Sequence, residues 1–428
     1  MLTRLDLREF DGVLGEMLPR PESVAEGIRE TVRSIIAEVR QGGDEALLTL
    51  GQKFDGVSPE RLVVESDEMS KALDRVSIEV RGALRASAHA IRDYHEGQRR
   101  AERMHESDGL VVQSISRPVR RAGCYVPGGR ATYPSTLLMT AVPARVAGVE
   151  EVVVCVPPGP DGCIPIVTLA AAAVAGIDAI HPIGGAQAIA ALAYGTESVA
   201  PVDVIVGPGN VYVAVAKQEV ACSVGIPVGF TGPSEVIVVA DVSAPAELVA
   251  IDVITQAEHG PGGLAWLVTW DEGFADQVEA AIGDAVAGSP RSSDIEATLE
   301  VSGYCVLVNS PGEALAVVEE IAPEHLQLMC EDAGELALKV RNVGAVFCGV
   351  WSPASLGDYM AGPSHVLPTA GTARFAGALT VSDFTKDVHI VSADRVALER
   401  VGPHIVTLAE VEGLAAHAES VRMRLNRG

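Results

Sequence analysis

Short apolar segments alternate with helical segments from Glu151 to Glu320, and this alternation limits the possible folds more than any other feature of the sequence. Strands that are apolar on both faces and separated by helices form parallel sheets covered by helices on either side. The sequence therefore predicts an α/β protein with doubly wound parallel sheets. Strands are predicted at 151–156, 180–183, 202–206, 235–240, 264–270 and 304–309, and helices at 166–175, 186–194, 211–220, 246–258, 274–285 and 313–320.

Helical patterns also dominate the two ends of the chain. Apolar residues recur at helical spacing from Val24 to Val39, and we expect Gly42-Gly43 to stop this helix. A second helical stretch runs from about Asp67 to Gln98 and is predicted to be broken once. The last stretch, Ser392–Gly428, is predicted to be helical and is a candidate separate appendage.

Composition excludes several classes of function. Lys and Arg number 32 against 57 Asp and Glu, and the net charge of −25 disfavours binding to nucleic acid or to an anionic membrane. The longest apolar run, Ile164–Ile177, is shorter than the ~20 residues of a membrane helix. The first residues lack the apolar core of a signal peptide, and the seven scattered cysteines form no C-x-x-C pair. We expect a cytoplasmic enzyme with reduced thiols and a small-molecule substrate.

Three glycine-rich loops lie where an α/β sheet binds ligands. They are "YVPGGR" (Tyr125–Arg130), "IGGAQA" (Ile183–Ala188) and "GPGN" (Gly207–Asn210). A dinucleotide fingerprint needs a third glycine, but Tyr212 occupies that position after "GPGN". For each loop alone, turn chemistry is therefore a simpler explanation than cofactor binding.

The stretch "ITQAEHGPGG" (Ile254–Gly263) allows two interpretations. Gln256 and His259 are three residues apart and would share one helix face, which suits two metal ligands. A histidine before Gly-Pro-Gly-Gly is also typical of a helix C-terminus, where the helix dipole favours it.

Three further clusters combine acidic residues with histidine. Glu324 and His325 follow a proline at a predicted helix start, either as a polar turn or as two proton-transfer groups. Asp358 and His365 lie in a glycine-rich segment that is either a surface loop or a ligand site. Glu412 and His417 lie on the terminal helix, where a solvated face is the simpler explanation.

Taken together, these segments resemble the histidinol dehydrogenase family nearly end to end. The matching words stand in the family's order and at about its spacing: "YVPGG", "PST", "GGAQA", "GPGN", "GPSEV", "QAEH", "EHL", "SLGDY", "HVLPT" and "EGLAAH". Each word is weak alone, but the ordered set is highly specific. The resemblance implies oxidation of L-histidinol to L-histidine through the aldehyde, with two NAD and one zinc ion per site.

The resemblance also implies a set of functional residues. The implied zinc ligands are Gln256, His259, Asp358 and His417, and the implied catalytic pair is Glu324 and His325. The residues implied near NAD are Tyr125, Gln187 and Asn210. The residues implied around the substrate are Ser135, Ser234, His365 and Glu412, together with His325 and the four zinc ligands. A site without thiolates fits a zinc that anchors substrate better than a structural zinc.

The fold implied by the resemblance is two incomplete Rossmann-like domains with a helical N-terminal element and a C-terminal arm. The N-terminal element is expected at 1–22. One domain is expected at 23–122 plus 235–380, with the catalytic and zinc residues, and the NAD domain at 123–234. The arm, 381–428, is expected to complete the site of a partner subunit in a homodimer.

Two departures from the family pattern bear on the substrate. Gly260 stands where the family has Asp after "QAEH", and Ser364 stands where it has Asn before "HVLPT". Oxidation of another polar primary alcohol, such as a dihydroxypropane sulfonate, is therefore the alternative enzyme function. A non-catalytic zinc- or nucleotide-binding protein is the alternative from another class, but such a protein has no need of the Glu324-His325 pair.

Overall fold

The structure is a computed structural model that describes residues 1–19, 26–129, 131–227, 232, 234–259 and 263–427, with only the backbone of His259. The chain divides into two compact units, Met1–Gln98 with Arg120–Phe384 and Arg99–Val119 with Thr385–Gly428. No helix in the described part of the chain is long and apolar enough to cross a membrane.

The strands and helices are numbered separately along the chain. The strands are β1 Thr3–Asp6, β2 Val64–Glu65, β3 Arg103–Ser107, β4 Leu110–Pro118, β5 Arg121–Tyr125, β6 Glu151–Cys155, β7 Ala179–His181, β8 Val204–Val206, β9 Glu235–Ala240, β10 Leu264–Thr269, β11 Gly303–Leu307, β12 His325–Met329, β13 Ala345–Cys348 and β14 Thr385–Ala393. The α-helices are α1 Leu14–Met17, α2 Glu26–Phe54, α3 Ser66–Arg75, α4 Ile78–Glu96, α5 Pro134–Ala147, α6 Ile166–Ala175, α7 Gly185–Tyr194, α8 Val211–Val220, α9 Ala246–Thr255, α10 Glu272–Ala287, α11 Ser292–Ser302, α12 Pro311–Ile321, α13 Ala333–Ala337, α14 Ala354–Tyr359, α15 Arg395–Val411 and α16 Ala415–Leu425. Short 3₁₀ turns cover Ala257–His259, Thr372–Arg374 and Val381–Phe384.

A six-stranded parallel sheet forms one half of the first unit, in the order β1-β11-β10-β9-β12-β13. Alternate residues of β9 enter two different cores, with Val236 and Val238 on one face and Ile237 and Val239 on the other. Because both faces are covered, the strand is apolar throughout, as the sequence predicted.

A five-stranded sheet forms the other half of the first unit, in the order β2-β7-β6-β5-β8. Helices α2, α3 and α4 pack on the helices of this sheet. Val32, Ile35 and Val39 share a core with Ile189 and Leu192 of α7. The predicted domain of residues 23–122 plus 235–380 grouped these helices with the six-stranded sheet, whereas they pack on helices of the five-stranded sheet. An apolar helix face shows that it is covered but not by which sheet.

The predicted alternation of strands and helices between residues 151 and 320 is confirmed, and the doubly wound α/β class with it. The break in the 67–98 stretch is also confirmed, between α3 and α4. Gly43 has the non-helical angles φ 53° and ψ −133°, so the span Glu26–Phe54 consists of two helical segments that meet at a kink where Gly42-Gly43 were predicted to stop the first. The N-terminal element is not purely helical, because β1 pairs with β11 at the edge of the six-stranded sheet.

The second unit is built on a three-stranded antiparallel sheet, in the order β14-β4-β3, together with α15 and α16. Strand β14 pairs with β4 over its whole length, from Thr385 opposite Pro118 to Ala393 opposite Leu110. The C-terminal arm thus begins with a strand, and the 99–119 hairpin belongs with it and not with the preceding helices.

Candidate active site

The amino ends of the strands in the six-stranded sheet carry a cluster of polar residues. Glu235 is the first residue of β9 and His325 the first of β12, and the register sets His325 opposite Val236. Helix α9 runs back toward this edge and ends at Gln256. A Cβ built on Gly263 would lie 3.3 Å from the carbonyl oxygens of both Gln256 and Ser234. Three distant segments of the chain therefore meet at one edge of the sheet.

The Glu324-His325 pair lies at the start of a buried strand. A helix start was predicted here, but α12 ends just before the pair, at Ala322 with a left-handed φ of 54°. The proline follows the helix C-terminus and does not open a new helix. All five residues of β12 are buried, so both functional side chains are removed from bulk water.

Hydrogen bonds and charge fix the imidazole of His325. Its Nδ1 lies 3.2 Å from the Glu235 carbonyl oxygen, to which an Nδ1–H can donate, and 3.5 Å from Glu324 Oε2. Its Nε2 is buried without a hydrogen-bond partner among the described residues, 3.7 Å from Asp358 Oδ1. Burial opposes protonation, but Glu324 and Asp358 outweigh it and raise the pKa of His325 to about 10. A cation held by Asp358 would offset the charge of that carboxylate and bring the pKa of His325 back toward the range that suits a general base.

Glu235 is a site residue that the sequence analysis missed. Its side chain is 1% exposed, its backbone N–H donates to Glu324 Oε2 at 3.0 Å, and its Oε1 accepts from the Ala370 N–H at 2.5 Å. Burial, reinforced by the charge of Glu324, raises the pKa of this carboxyl to about 8. The available signal was a glutamate opening the apolar strand "EVIVVA", since a buried strand seldom begins with an acid.

Asp358 and His365 meet next to this pair. Asp358 lies in the short helix α14, in a segment where the sequence showed no helical period. His365 Nδ1 lies 3.1 Å from the Asp358 carbonyl oxygen, and its Nε2 lies 3.1 Å from Thr136 Oγ1 in α5. Burial lowers the pKa of His365. Ser135 precedes Thr136 in the first turn of α5, so this helix start reaches the same cluster.

Ser364, one of the two departures from the family pattern, has a supporting role. It is buried, and its Oγ donates to the Met139 carbonyl oxygen at 3.0 Å and accepts from the Val366 N–H at 3.2 Å. Ser364 therefore ties the segment before His365 to α5. The other departure, Gly260, lies outside the described residues.

The predicted zinc ligands are only partly assembled in the first unit. Gln256 is buried at the end of α9, and Asp358 lies beside His325. The side chain of His259 lies outside the described part of the structure, and His417 lies in α16 of the second unit, with Glu412 at the end of α15. Within the described residues no group of three or more His, Cys, Asp or Glu side chains could hold a metal ion.

A cleft of about 880 Å³ opens at the carboxyl ends of the strands in the five-stranded sheet. The three residues predicted near NAD all line it: Tyr125, Gln187 and Asn210. The Tyr125 hydroxyl accepts from the Gly185 N–H at 3.1 Å, and Asn210 Oδ1 caps α8 by accepting from Tyr212 N–H at 3.0 Å. The volume is in the range of small-molecule sites.

Backbone shape makes this cleft suitable for a dinucleotide. The first turns of α7 and α8 contribute Gly185 and Asn210 to its wall, and helix N-termini favour phosphate. Gly207 has φ 108°, and a Cβ there would overlap the carbonyl oxygen of Tyr125. The loop after β8 can therefore approach β5 closely only with glycine at this position.

Comparison with known proteins identifies close relatives over the whole chain. The sequence model of the histidinol dehydrogenase family matches residues 18–425. Histidinol dehydrogenase of Parasynechococcus marenigrum is 45% identical over 423 residues, covering 98% of this chain and 97% of that protein. That of Syntrophotalea carbinolica is 44% identical over 428 residues, covering 99% of both. The crystal structure of histidinol dehydrogenase from Elizabethkingia anophelis superposes with a TM-score of 0.93 at 33% identity, covering 99% of this chain and 98% of that one.

Proposed function

Because the chain belongs to the histidinol dehydrogenase family, we propose that it oxidises L-histidinol through L-histidinaldehyde to L-histidine in the cytoplasm, with NAD as the oxidant. The observation that carries this proposal is the buried Glu324-His325 pair beside Asp358 and His365. A scaffold used only for binding has no need of an imidazole and a carboxylate held 3.5 Å apart in a buried site.

The residues present can serve both oxidation steps. In the first step His325 takes the hydroxyl proton while hydride passes to NAD, which gives the aldehyde, NADH and a proton. In the second step water adds to the aldehyde, and Glu324 takes a proton from that water. Hydride then leaves the hydrate for a second NAD. The balance is one histidinol, two NAD and one water consumed, with one histidine carboxylate, two NADH and three protons formed.

We assign the NAD site to the cleft lined by Tyr125, Gln187 and Asn210. The cleft extends to Tyr133, which directly precedes α5, and Thr136 of α5 contacts His365. The nicotinamide end of a dinucleotide lying along the cleft would thus approach the catalytic pair.

We assign zinc to Gln256, His259, Asp358 and His417. Amide oxygen, carboxylate and imidazole are suitable donors for a catalytic zinc. Gln256 and Asp358 both border the edge where His325 Nε2 is buried without a hydrogen-bond partner among the described residues. When bound, zinc supplies a positive charge that anchors the amine and imidazole of the substrate. Chelation is expected to abolish turnover and added zinc to restore it, whereas full activity of verified metal-free protein would contradict the assignment.

The substrate is tested by measuring NADH formed from L-histidinol and, in parallel, from 2,3-dihydroxypropane sulfonate. Close to two NADH per histidinol is expected. Activity on the sulfonate alone would overturn the proposal in favour of the alternative alcohol.

We further propose that the second unit completes the site of a partner subunit in a homodimer. In support, the unit exposes apolar side chains that a partner could cover, among them Val391, Val396, Leu408 and Val411, the last being 82% exposed. Large exposed apolar residues clustered on one small unit are typical of an interface. Val396, Leu408 and Val411 lie on α15, which ends at Glu412, and His417 lies on the next helix, α16.

Mixed-dimer complementation tests the shared site. Gln256→Ala and His417→Ala homodimers are each expected to be nearly inactive. If the arm is exchanged, a dimer with one chain of each variant has both substitutions in one site and none in the other. Refolding the two variants together should then restore activity. No recovery in demonstrated mixed dimers would contradict exchange of the arm and leave the zinc assignment unaffected.

A further inference from the structure

The cofactor cleft contains one charged side chain that the function proposed above does not use. Asp55 follows directly after α2, where its backbone N–H donates to the Gly51 carbonyl oxygen at 2.8 Å. It lines the cleft together with Phe54, Tyr125 and Gln187. Among the described residues that line the cleft, Asp55 is the only acid, and none is a lysine or an arginine.

The surroundings of Asp55 leave its carboxylate able to accept hydrogen bonds from a bound ligand. No hydrogen bond or ion pair of its carboxylate occurs within the described part of the chain. Although the residue is exposed to the cleft, the surrounding protein partly desolvates its carboxyl and raises its pKa. A carboxylate that loses water without gaining a donor is destabilised until a ligand supplies one.

The neighbouring residue, Phe54, could bind the base of the same nucleoside. Phe54 is 49% exposed although it is a large apolar residue, and it lines the same cleft. Aromatic rings stack on nucleobases, and a carboxylate accepts hydrogen bonds from ribose hydroxyls. Phe54 therefore offers a ring on which adenine can stack, and the adjacent Asp55 offers a carboxylate that can accept hydrogen bonds from the ribose.

We propose that Asp55 selects NAD over NADP by accepting hydrogen bonds from the adenosine ribose hydroxyls and repelling a 2′-phosphate. This inference rests on the proposed use of NAD. A 2′-phosphate brings about two negative charges and would replace the 2′-hydroxyl donor. None of the described lining residues is a cation that could offset this repulsion.

The test is equilibrium binding of NADH and NADPH to the full-length protein without substrate, followed by nicotinamide fluorescence. The wild type is expected to bind NADH at least ~10-fold more tightly than NADPH, the scale of losing one charged hydrogen bond. Asp55→Asn should bring the two dissociation constants to within about threefold of each other, mainly through tighter NADPH binding, since the repulsion is removed.

Two controls separate charge repulsion from general effects. Glu38→Gln removes one negative charge from the exposed face of the same helix, outside the cleft, and should leave the NADH-to-NADPH ratio unchanged. In the wild type the discrimination should weaken with increasing salt, because salt screens the repulsion. A change in helix packing would show no such dependence.

The outcomes distinguish this inference from the proposed function. Equal wild-type binding of NADH and NADPH, or an Asp55→Asn ratio within twofold of wild type, would overturn the role of Asp55 and leave the use of NAD intact. Absence of any NADH binding by the wild type would overturn the cofactor assignment and this inference with it.

Discussion

The two sheets of the first unit carry their proposed functional residues at opposite edges. In the six-stranded sheet Glu235, Glu324 and His325 lie at the amino ends of β9 and β12. In the five-stranded sheet Tyr125 ends β5, and the "GPGN" loop follows the carboxyl end of β8. The carboxyl-edge rule for open α/β sheets locates the cleft proposed for NAD but not the proposed catalytic pair.

The chemistry of the two edges also differs. The cleft proposed for the cofactor is lined mainly by uncharged residues, including glycines and prolines of the loops and the first turns of α7 and α8. The catalytic edge is built from buried side chains, and burial together with neighbouring charge moves the pKa values of Glu235 and His325. On the proposed function, one edge binds the cofactor through its shape and helix N-termini, and the other reacts through titratable groups. Substitutions at the two edges should therefore affect cofactor binding and proton transfer separately.

The largest effect is expected from His325→Gln. Loss of the proton-transfer group should lower the rate of both oxidation steps by about 10²–10⁴-fold, with NADH affinity unchanged because the cleft is at the other sheet. Single-turnover assays from histidinol and from histidinaldehyde measure the rates. His89→Gln, on the exposed face of α4, is the control. A parallel loss of NADH binding would contradict the separation of the two edges.

Glu324→Gln is expected to affect mainly the step from aldehyde to acid, by about 10²-fold, because the carboxylate activates water only in that step. The Gln oxygen can still accept from the Glu235 N–H, so the loop should keep its position. The same two assays apply. Equal loss from histidinol and from histidinaldehyde would defeat this division of labour.

Gly207→Ala should damage the opposite edge. The added Cβ would overlap the Tyr125 carbonyl oxygen at a φ of 108°, which strains the loop by about 1–3 kcal/mol. We expect NADH affinity to fall by about 10-fold, with any zinc content unchanged. Gly176→Ala is the matched control, since its φ is 69° with open space around the Cβ. Retained NADH affinity in Gly207→Ala would show that the loop does not shape the cleft.

The smallest effect is expected from Glu235→Gln, in the pH dependence of stability. Below pH 4.5 this carboxyl is protonated in both folded and unfolded protein, and between 4.5 and about 8 only the unfolded protein ionises it. The wild type should therefore lose stability as pH rises through this window, and the Gln variant should not. The Tm of the variant relative to wild type should increase by a few degrees from pH 5 to pH 8. A Tm difference between variant and wild type that does not change with pH would mean that Glu235 is ionised in the folded protein.

The sequence by itself determined the α/β class and most strand and helix positions between residues 151 and 320. The reason is that a strand covered on both faces must be apolar along its length, as in "EVVVCV" and "EVIVVA", and such local patterns survive in the sequence. It also located the three glycine-rich loops, because glycine at a strand end records a local backbone requirement, as at Gly207.

Only the tertiary structure decided which groups meet at the catalytic edge. Glu235 and Glu324 are 89 positions apart, and the hydrogen bond between them depends on the pairing of β9 with β12, which no local pattern records. The same is true of Thr136 and His365, which are 229 positions apart. The raised pKa of Glu235 follows from burial and from the charge of Glu324, and both arise only when the sheet has formed.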